Sequence, residues 1–275
     1  MEIIIPVAAV TVIGLICAVM LVTASRFMAV PEDETFTKIR QCLPGANCGA
    51  CGYAGCDGYA HALADGTITD TNKCVPGGSQ AAGQIAEVMG TEVRQAEEKI
   101  AGVHCCGDSG CTTPRYDYRG LQTCAAVNML FSGDGMCTYV CLGLGDCAKV
   151  CPRQAISIQD RLARVDPALC IGCGLCSKAC PNQLISLIPA RAAVLARCSS
   201  HDKGSVTRKA CTHGCIGCKK CERECPAQAI HVDNNCAVID YSLCTGCGHC
   251  AEVCTTGCIT ALLPGKCAGG AGKNT

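Results

Sequence analysis

Residues 215–225 read CIGCKKCEREC, which places four cysteines at the spacing C-x2-C-x2-C-x3-C. The same spacing recurs at residues 170–180 and at residues 244–254. In bacterial ferredoxins, three closely spaced thiolates of such a run hold one four-iron, four-sulfur cluster, and the fourth cysteine binds a second cluster. Because the run is repeated at a ferredoxin-like separation, the sequence predicts a protein that carries electrons through iron–sulfur clusters.

The high cysteine content, 31 of 275 residues, has two other interpretations. Disulfide-rich scaffolds are usually short and secreted, whereas this chain is long, with an odd cysteine count and tight triplets that suit few separate disulfides. Structural zinc is the stronger alternative, since C-x2-C pairs also bind zinc, but each zinc ion needs two pairs rather than a triplet. Clusters explain the spacing best, and their thiolates imply a reducing compartment.

The rest of the composition excludes several functions. Aromatic residues make up only 3% of the chain, there is no Trp, and the formal net charge is zero. Several small domains whose folding free energy comes from metal binding would explain the lack of large core side chains. No basic stripe or aromatic platform indicates a nucleic-acid partner. No nucleotide-binding glycine loop, nucleophile elbow or general-acid pair is present, so no catalytic residue is predicted.

The N-terminal segment is strongly apolar. Residues 3–24 contain two Thr and no charged residue. The segment is about as long as a helix that crosses a bilayer. The acidic Glu2, and the position of Arg26 after the apolar run, favour a permanent anchor over a secretory signal. Lys38 and Arg40 add positive charge behind the run. We therefore expect a single-pass protein of the cell (inner) membrane, in contact with membrane lipid, with most of the chain in the cytoplasm.

A second cysteine motif follows this segment. Residues 43–60 read LPGANCGACGYAGCDGYA, and a fourth cysteine comes shortly afterwards. The glycines allow the backbone to approach cluster sulfurs closely, and the helix expected after the triplet would stabilise an anionic cluster with its N–H groups. We predict a single-cluster domain here, with zinc as the alternative. Its predicted ligands are Cys48, Cys51, Cys56 and Cys74.

The second half of the chain contains an internal repeat. Residues 137–156 align without a gap with residues 211–230, and each segment continues through a hairpin-like stretch into a further cysteine run. The chain is therefore predicted to contain two ferredoxin modules in tandem. The repeat is imperfect, because Leu144 stands where the second module has Cys218.

The interlocked ferredoxin pattern assigns four clusters to the two modules. The predicted ligand sets of the second module are Cys215, Cys218, Cys221 with Cys254, and Cys244, Cys247, Cys250 with Cys225. One set of the first module is Cys170, Cys173, Cys176 with Cys151. The other has Cys141, Cys147 and Cys180, and we expect Cys137, the nearest cysteine in sequence, to replace the missing ligand. The alternative is a three-iron cluster with an empty corner.

These assignments give five 4Fe-4S clusters and leave several cysteines over. VHC at residues 103–105 resembles ARC at residues 196–198, which indicates that the repeat begins upstream of each module. A sixth cluster could use some of the cysteines that flank the modules, and packed thiols are an equally good explanation for them. The flanking cysteines are Cys105, Cys111, Cys124, Cys198 and Cys211.

The predicted fold class is α+β. It comprises one N-terminal transmembrane helix, a small helical single-cluster domain and two tandem bacterial-type ferredoxin-like modules. The predicted boundaries are 1–26 for the anchor, 27–34 for a linker, 35–78 for the single-cluster domain, 79–136 for a helical connecting region, 137–190 for the first ferredoxin module, 191–210 for a linker segment, 211–264 for the second module and 265–275 for a flexible tail.

Four segments, taken in order, resemble one family: LPGANCGACGYAGC, YDYRGLQTCAAVNML, CLGLGDCAKVCP and GCIGCKKCERECP. The chain resembles the B subunit of the Rnf complex, a membrane ferredoxin:NAD oxidoreductase that pumps sodium ions or protons. The resemblance implies a component of the translocase that takes electrons from reduced soluble ferredoxin and relays them to the membrane and NAD-binding subunits. Flavin and NAD chemistry would belong to those partners. The alternatives are a membrane-anchored polyferredoxin serving a hydrogenase or another reductase, and a zinc-stabilised assembly module.

Overall fold

The structure is a computed structural model that describes residues 4–27, 34–91 and 97–262, without the side chains of residues 4–10 and 25–27. Most of the linker predicted at 27–34, and all of the tail predicted at 265–275, lie outside these ranges. Helix α1 spans Ile4–Phe27, and its described side chains are exposed. Among the described residues, no helix has both the length and the apolar character needed to cross a membrane. The transmembrane anchor predicted at residues 1–26 is therefore not supported.

The single-cluster unit is built from three short helices and a 3-10 turn at Thr71–Lys73. The helices are α2 (Glu34–Cys42), α3 (Gly55–Ala64) and α4 (Gly78–Met89). Tyr59 and Ile85 are fully buried in one core, so α4 packs onto the unit and extends it beyond the predicted boundary at residue 78. Gly90 caps the C-terminus of α4, and its φ of +65° lies in the left-handed region that favours glycine.

Strands occur only in the ferredoxin part of the described chain. They form four two-stranded antiparallel sheets. The pairs are β1 (Lys99–Val103) with β4 (Ile185–Pro189), β2 (Ile156–Gln159) with β3 (Leu162–Val165), β5 (Val194–Ala196) with β8 (Ile259–Ala261), and β6 (Ile230–Asp233) with β7 (Cys236–Ile239). The hairpins β2–β3 and β6–β7 are those that the sequence predicted, and the α+β class is confirmed.

Short helices accompany the cysteine runs. They are α5 (Cys124–Asn128), α6 (Asp146–Lys149), α7 (Leu175–Ala179), α8 (Gly204–Ala210), α9 (Lys220–Arg223) and α10 (His249–Glu252). Four of them, α6, α7, α9 and α10, begin directly after a residue with positive φ. Three of these residues are glycines, which adopt a positive φ without strain, and the fourth is Lys219.

Strands β1 and β5 show that the repeat is longer than its gap-free core. Val103 pairs with Ile185, and Ala196 pairs with Ile259, which is the residue equivalent to Ile185 in the second module. Each module therefore begins with a strand that pairs with its own last strand. Two of the segments predicted as connections, 79–136 and 191–210, supply these strands, because their backbone hydrogen bonds are completed only across the module.

The docking of β1 depends on one glycine. Gly172 has φ +66°, and a Cβ atom there would collide with the carbonyl oxygen of Lys99 in β1. Gly174 has a similar φ of +74°, but its nearest neighbour would be the flexible end of Leu187 at 3.5 Å. A substitution at Gly174 would therefore cause backbone strain alone, whereas one at Gly172 would cause both strain and a steric clash.

We predict that Gly172→Ala lowers the free energy of unfolding by about 2–4 kcal/mol, the sum of left-handed strain and overpacking. Gly174→Ala is the control, and we expect a loss of about 1–2 kcal/mol from strain alone. Anaerobic thermal unfolding, followed by circular dichroism, measures both. Equal losses for the two variants would contradict the proposed contact with β1.

Candidate metal centres

The candidate sites are groups of unpaired thiols. Every cysteine in the described ranges is free, and those ranges contain no group of three or more His, Cys, Asp or Glu residues that could hold a metal ion. A four-iron cluster is wider than a single ion and takes one thiolate at each iron. Its candidate sites are therefore cavities and facing sets of four cysteines.

The N-terminal unit brings its four predicted ligands together. Burial raises the pKa of the Cys74 thiol, and Cys56, Cys51 and Cys48 are all close enough to raise it further. The Asn47 side chain accepts a hydrogen bond from the Cys56 backbone N–H at 2.8 Å, which fixes the loop at the start of α3. The set has the donors that a 4Fe-4S cluster requires.

The second module forms both of its predicted sets. One cavity is lined by Cys225, Cys244, Cys247 and Cys250, with apolar residues that include Val194 and Ile230 completing its wall. Burial raises the pKa of Cys250 to about 12, and its neighbouring thiols add to this effect. A thiol with such a pKa stays protonated at neutral pH, so only a bound cation would make it a thiolate ligand.

The other set of the second module surrounds Cys221. Burial raises the pKa of Cys221 to about 11, and Cys215, Cys254 and Cys218 act on it at short range. The pKa of Cys254 is instead lowered to about 5, chiefly by a hydrogen bond with the Cys258 thiol. The four residues are those assigned from the interlocked spacing.

In the first module, the set assigned around Cys176 is also present. Burial raises the pKa of Cys176 to about 11, with Cys173, Cys170 and Cys151 as its interacting neighbours. The Ala101 backbone N–H in β1 donates to the Cys170 sulfur at 3.3 Å. Strand β1 therefore contributes directly to this site, which the sequence did not indicate.

The incomplete set of the first module receives a fourth cysteine from an unexpected place. One cavity is lined by Cys141, Cys147 and Cys180 together with Cys124, and Cys137 is not among its lining residues. Cys124 is the first residue of α5, and the Thr123 hydroxyl caps this helix by accepting from the Ala126 N–H at 3.2 Å. The structure thus offers Cys124, rather than Cys137, in place of the ligand lost at position 144.

Cys137 lies in a different cavity, between the two modules. Its cysteines are Cys105, Cys106, Cys137, Cys198 and Cys211. Burial raises the pKa of Cys137 to about 11, a backbone hydrogen bond from Tyr139 opposes this, and Cys198 and Cys211 of the other module raise the pKa further. We name this cavity the bridging site.

The bridging site follows the symmetry of the repeat. The Cys105 sulfur accepts a hydrogen bond from the Cys141 N–H at 3.4 Å, and the Cys198 sulfur accepts one from the equivalent Cys215 N–H at 3.2 Å. Cys137 and Cys211 are likewise equivalent in the sequence alignment. Each module therefore supplies the same two cysteines, and four such thiols match the donor set of one 4Fe-4S cluster.

Two residues considered for this region have other surroundings. The Cys111 sulfur lies 2.9 Å from His213 Nδ1 and does not line the bridging cavity. His104 does line it, but both ring nitrogens are already hydrogen-bonded, to Ala196 O at 2.7 Å and to Ser186 Oγ at 2.6 Å. Burial lowers the pKa of His104, so it is a neutral structural residue beside the site.

The sequence predicts other partners for two cysteines, Cys124 in a possible sixth cluster and Cys137 in the set of Cys141, because their neighbours in the fold come from distant segments. Cys124 stands in the segment YDYRGLQTCAAVNML, and its only local signal is the Thr-Cys pair at a helix start. The flanking cysteines of the bridging site were recognised as candidates, but nothing in their spacing shows that two modules combine them.

The fold and these cavities define an iron–sulfur protein with ferredoxin-type modules. Residues 43–76 match the family model described as "Putative Fe-S cluster", and residues 163–186 and 237–260 match the one described as "4Fe-4S binding domain". The matches confirm the predicted single-cluster motif and two 4Fe-4S motifs.

Similarity to whole proteins narrows the class further. The chain is 40% identical over 259 residues to the B subunit of the Na(+)-translocating ferredoxin:NAD(+) oxidoreductase complex of Acetobacterium woodii, covering 94% of this chain and 78% of the relative. It is 41% identical to the B subunit of the proton-translocating complex of Clostridium ljungdahlii, with coverage of 93% and 91%. The B subunit of the ion-translocating oxidoreductase complex of Methanosarcina acetivorans is 40% identical, with coverage of 88% and 92%. The chain belongs to the family of Rnf complex B subunits.

We predict that Cys124→Ala removes one first-module cluster or converts it to a three-iron form. The Cys141 set, which comprises Cys124, Cys141, Cys147 and Cys180, would then have only three thiolates. Iron in the anaerobically purified chain should fall by about one to four atoms, and a three-iron spin-resonance signal should appear if one corner alone is lost. Cys42→Ala is the control, since the Cys42 thiol is hydrogen-bonded to Lys38 O within α2. Unchanged iron and spectra in Cys124→Ala would contradict the assignment.

Proposed function

We propose that this chain is the electron-relay component of an ion-translocating ferredoxin:NAD oxidoreductase complex. It takes electrons from reduced ferredoxin and passes them, one at a time, through 4Fe-4S clusters towards the membrane and NAD-reducing subunits. The family relationship supports the kind of complex. The observation that carries the relay is a series of electrostatic interactions and N–H···S hydrogen bonds between neighbouring cysteine sets, from the N-terminal unit to the end of the second module.

The first electrostatic interaction joins the N-terminal unit to the first module. Cys48 of the single-cluster set is close enough to Cys173 to affect its pKa. Within the module, Cys176 affects the pKa of Cys147 in the same way, which connects the two ferredoxin sets. Clusters held by neighbouring ligands are close enough to exchange electrons without any side chain acting as an acid, base or nucleophile.

The next contacts cross between the modules and depend on the bridging site. We propose that this site holds a sixth 4Fe-4S cluster, with Cys105, Cys137, Cys198 and Cys211 as the ligands that the repeat favours. Cys106 also lines the cavity and is the alternative to Cys105. The hydrogen bonds from Cys141 N–H and Cys215 N–H to the bridging sulfurs link this site to one set in each module. The last step runs from Cys221 to Cys250, which interact at short range.

The chain's own residues hold and insulate the bridging site. When bound, a 4Fe-4S cluster supplies one-electron transfer. The Gly107 N–H donates to the Cys105 sulfur at 3.4 Å, and the Ser200 N–H donates to the Cys198 sulfur at 3.5 Å, again as a symmetric pair. Such N–H donors stabilise negative charge on sulfur and influence the reduction potential. Val140 and Thr207, which are both buried, also line the cavity.

We predict that Cys137→Ala and Cys211→Ala each remove the same cluster. In the intact complex, reduced ferredoxin should then reduce the clusters on one side of the gap only, and NAD reduction should fall at least about tenfold. Cluster absorbance and spin resonance distinguish the two sides. Cys111→Ala is the matched control, and it should leave both the iron content and NAD reduction unchanged.

The outcome that contradicts this assignment is asymmetric. If Cys137→Ala damages a first-module cluster while Cys211→Ala is harmless, Cys137 is the replacement ligand expected from its sequence position. In that case the relay lacks a cluster between its modules.

The membrane location is a further part of the proposal. Helix α1 is 24 residues long, and its large apolar side chains such as Leu15, Met20 and Leu21 are 67–71% exposed. An apolar surface of this kind needs an apolar environment, which lipid or a membrane subunit would supply. The relatives are named as ion-translocating, and ion translocation takes place across a membrane. We propose that α1 holds the chain at the inner face of the cell membrane.

We predict that deletion of residues 1–25 releases the chain into the soluble fraction once a high-salt wash has removed partner subunits. Immunoblotting of membrane and soluble fractions measures this, with the full-length chain as control. A truncated chain that stays in the washed membranes would show that α1 is not what holds it there.

A further inference from the structure

Cys258 is a buried thiol that belongs to none of the proposed ligand sets. It precedes β8 and is 2% exposed. Its sulfur lies 3.6 Å from the Cys254 sulfur. Cys254 belongs to the Cys215 set, which Cys218 and Cys221 complete. The S–H of Cys258 can therefore donate to a ligand sulfur of that cluster.

The first module lacks this donor. The residue equivalent to Cys258 is Leu184, which is 2% exposed and lines the cavity of Cys124, Cys141, Cys147 and Cys180. An alkyl side chain fills the same space against the ligands but donates no hydrogen bond. At this position, the two equivalent sites differ by one thiol donor. Both residues at the position are buried among apolar neighbours.

A second thiol shows the same replacement but is less diagnostic. Cys236, at the start of β7, is equivalent to Leu162 at the start of β3. Its sulfur donates to the Cys198 carbonyl oxygen at 3.0 Å. Because this hydrogen bond goes to the backbone of a bridging-site residue, Cys236 gives no specific test of the Cys215 set.

The physical consequence concerns the reduction potential. A cluster gains one negative charge when it is reduced, and a hydrogen bond to a ligand sulfur stabilises that added charge. Hydrogen bonds to charged groups are stronger than neutral ones, and burial increases their effect. The electron moves between clusters while the Cys258 thiol keeps its proton and all covalent bonds, so no co-reactant is needed.

We propose that Cys258 is a positioning residue whose S–H raises the reduction potential of the Cys215 cluster above that of its counterpart, the Cys141 cluster, which faces Leu184. This inference rests on the proposed relay. It gives the relay a direction, because an electron that crosses the bridging site from the first module to the second moves to the higher potential.

The test exchanges the donor between the modules in the full-length chain, purified anaerobically. Cys258→Ala removes the donor, and Cys258→Ser keeps one as a hydroxyl. Leu184→Cys adds a donor to the first module, and Leu184→Ala controls for the change of volume. Midpoint potentials come from redox titration followed by spin resonance, and the iron content of each variant is measured in the same samples.

We expect Cys258→Ala to lower the midpoint potential of one cluster. At a fixed applied potential, its reduced-to-oxidised ratio should fall about tenfold, which corresponds to about 59 mV for a one-electron couple. Cys258→Ser should retain most of the original potential. Leu184→Cys should raise the potential of a different cluster, and Leu184→Ala should not. If Cys258→Ala fails to fold, the pair of Leu184 variants decides the question.

Unchanged midpoints in Cys258→Ala and in Leu184→Cys, with full iron content, would overturn the inference. Loss of a whole cluster in Cys258→Ala would also overturn it, because Cys258 would then be a ligand. Failure of the proposed relay gives a different result, in which the unmodified chain itself lacks the Cys215 cluster or does not accept electrons from reduced ferredoxin.

Discussion

Each cluster in this protein needs four thiols that face one another inside an apolar shell, and the rest of the structure is arranged around this requirement. Cysteines occupy core positions that large apolar side chains usually fill, together with small aliphatic residues. Burial and the neighbouring thiols together raise the pKa of Cys147 to about 12, and they raise the pKa of Cys250 in the same way. Without metal, these two thiols are therefore neutral rather than thiolates. Metal binding reverses this preference, and its free energy then contributes to folding.

The same requirement explains the relation between the modules. Each ferredoxin module begins with a strand, β1 or β5, that pairs with the last strand of the module and ends two residues before a cysteine. This strand brings Cys105 or Cys198 next to the first cysteine run of its own module. Two copies of that arrangement face each other, and their equivalent thiols enclose the bridging site. A tandem repeat has thus formed a site that neither copy contains alone.

The sequence predicted the features that depend on local spacing. The three intact cysteine runs, the N-terminal motif and the two hairpins all follow from residues close together in the chain, and the structure contains them. The position left open by Leu144 could not be filled in this way, because Cys124 reaches it through the packing of a capped helix. Cys137 was expected there for its proximity in sequence, whereas it lines a cavity together with Cys198 and Cys211 of the other module. The strands β1 and β5 were missed for the same reason, since three- to five-residue strands are defined by their partners.

We propose that six clusters form one continuous relay across both modules. Crystals of the anaerobically prepared chain, or of its complex, measured at the iron absorption edge, would locate every cluster by anomalous scattering. We expect six iron peaks, one of them between the modules and enclosed by Cys105, Cys137, Cys198 and Cys211. Five peaks, with the cavity between the modules free of iron, would contradict a continuous relay and leave the two ferredoxin modules without a connecting centre.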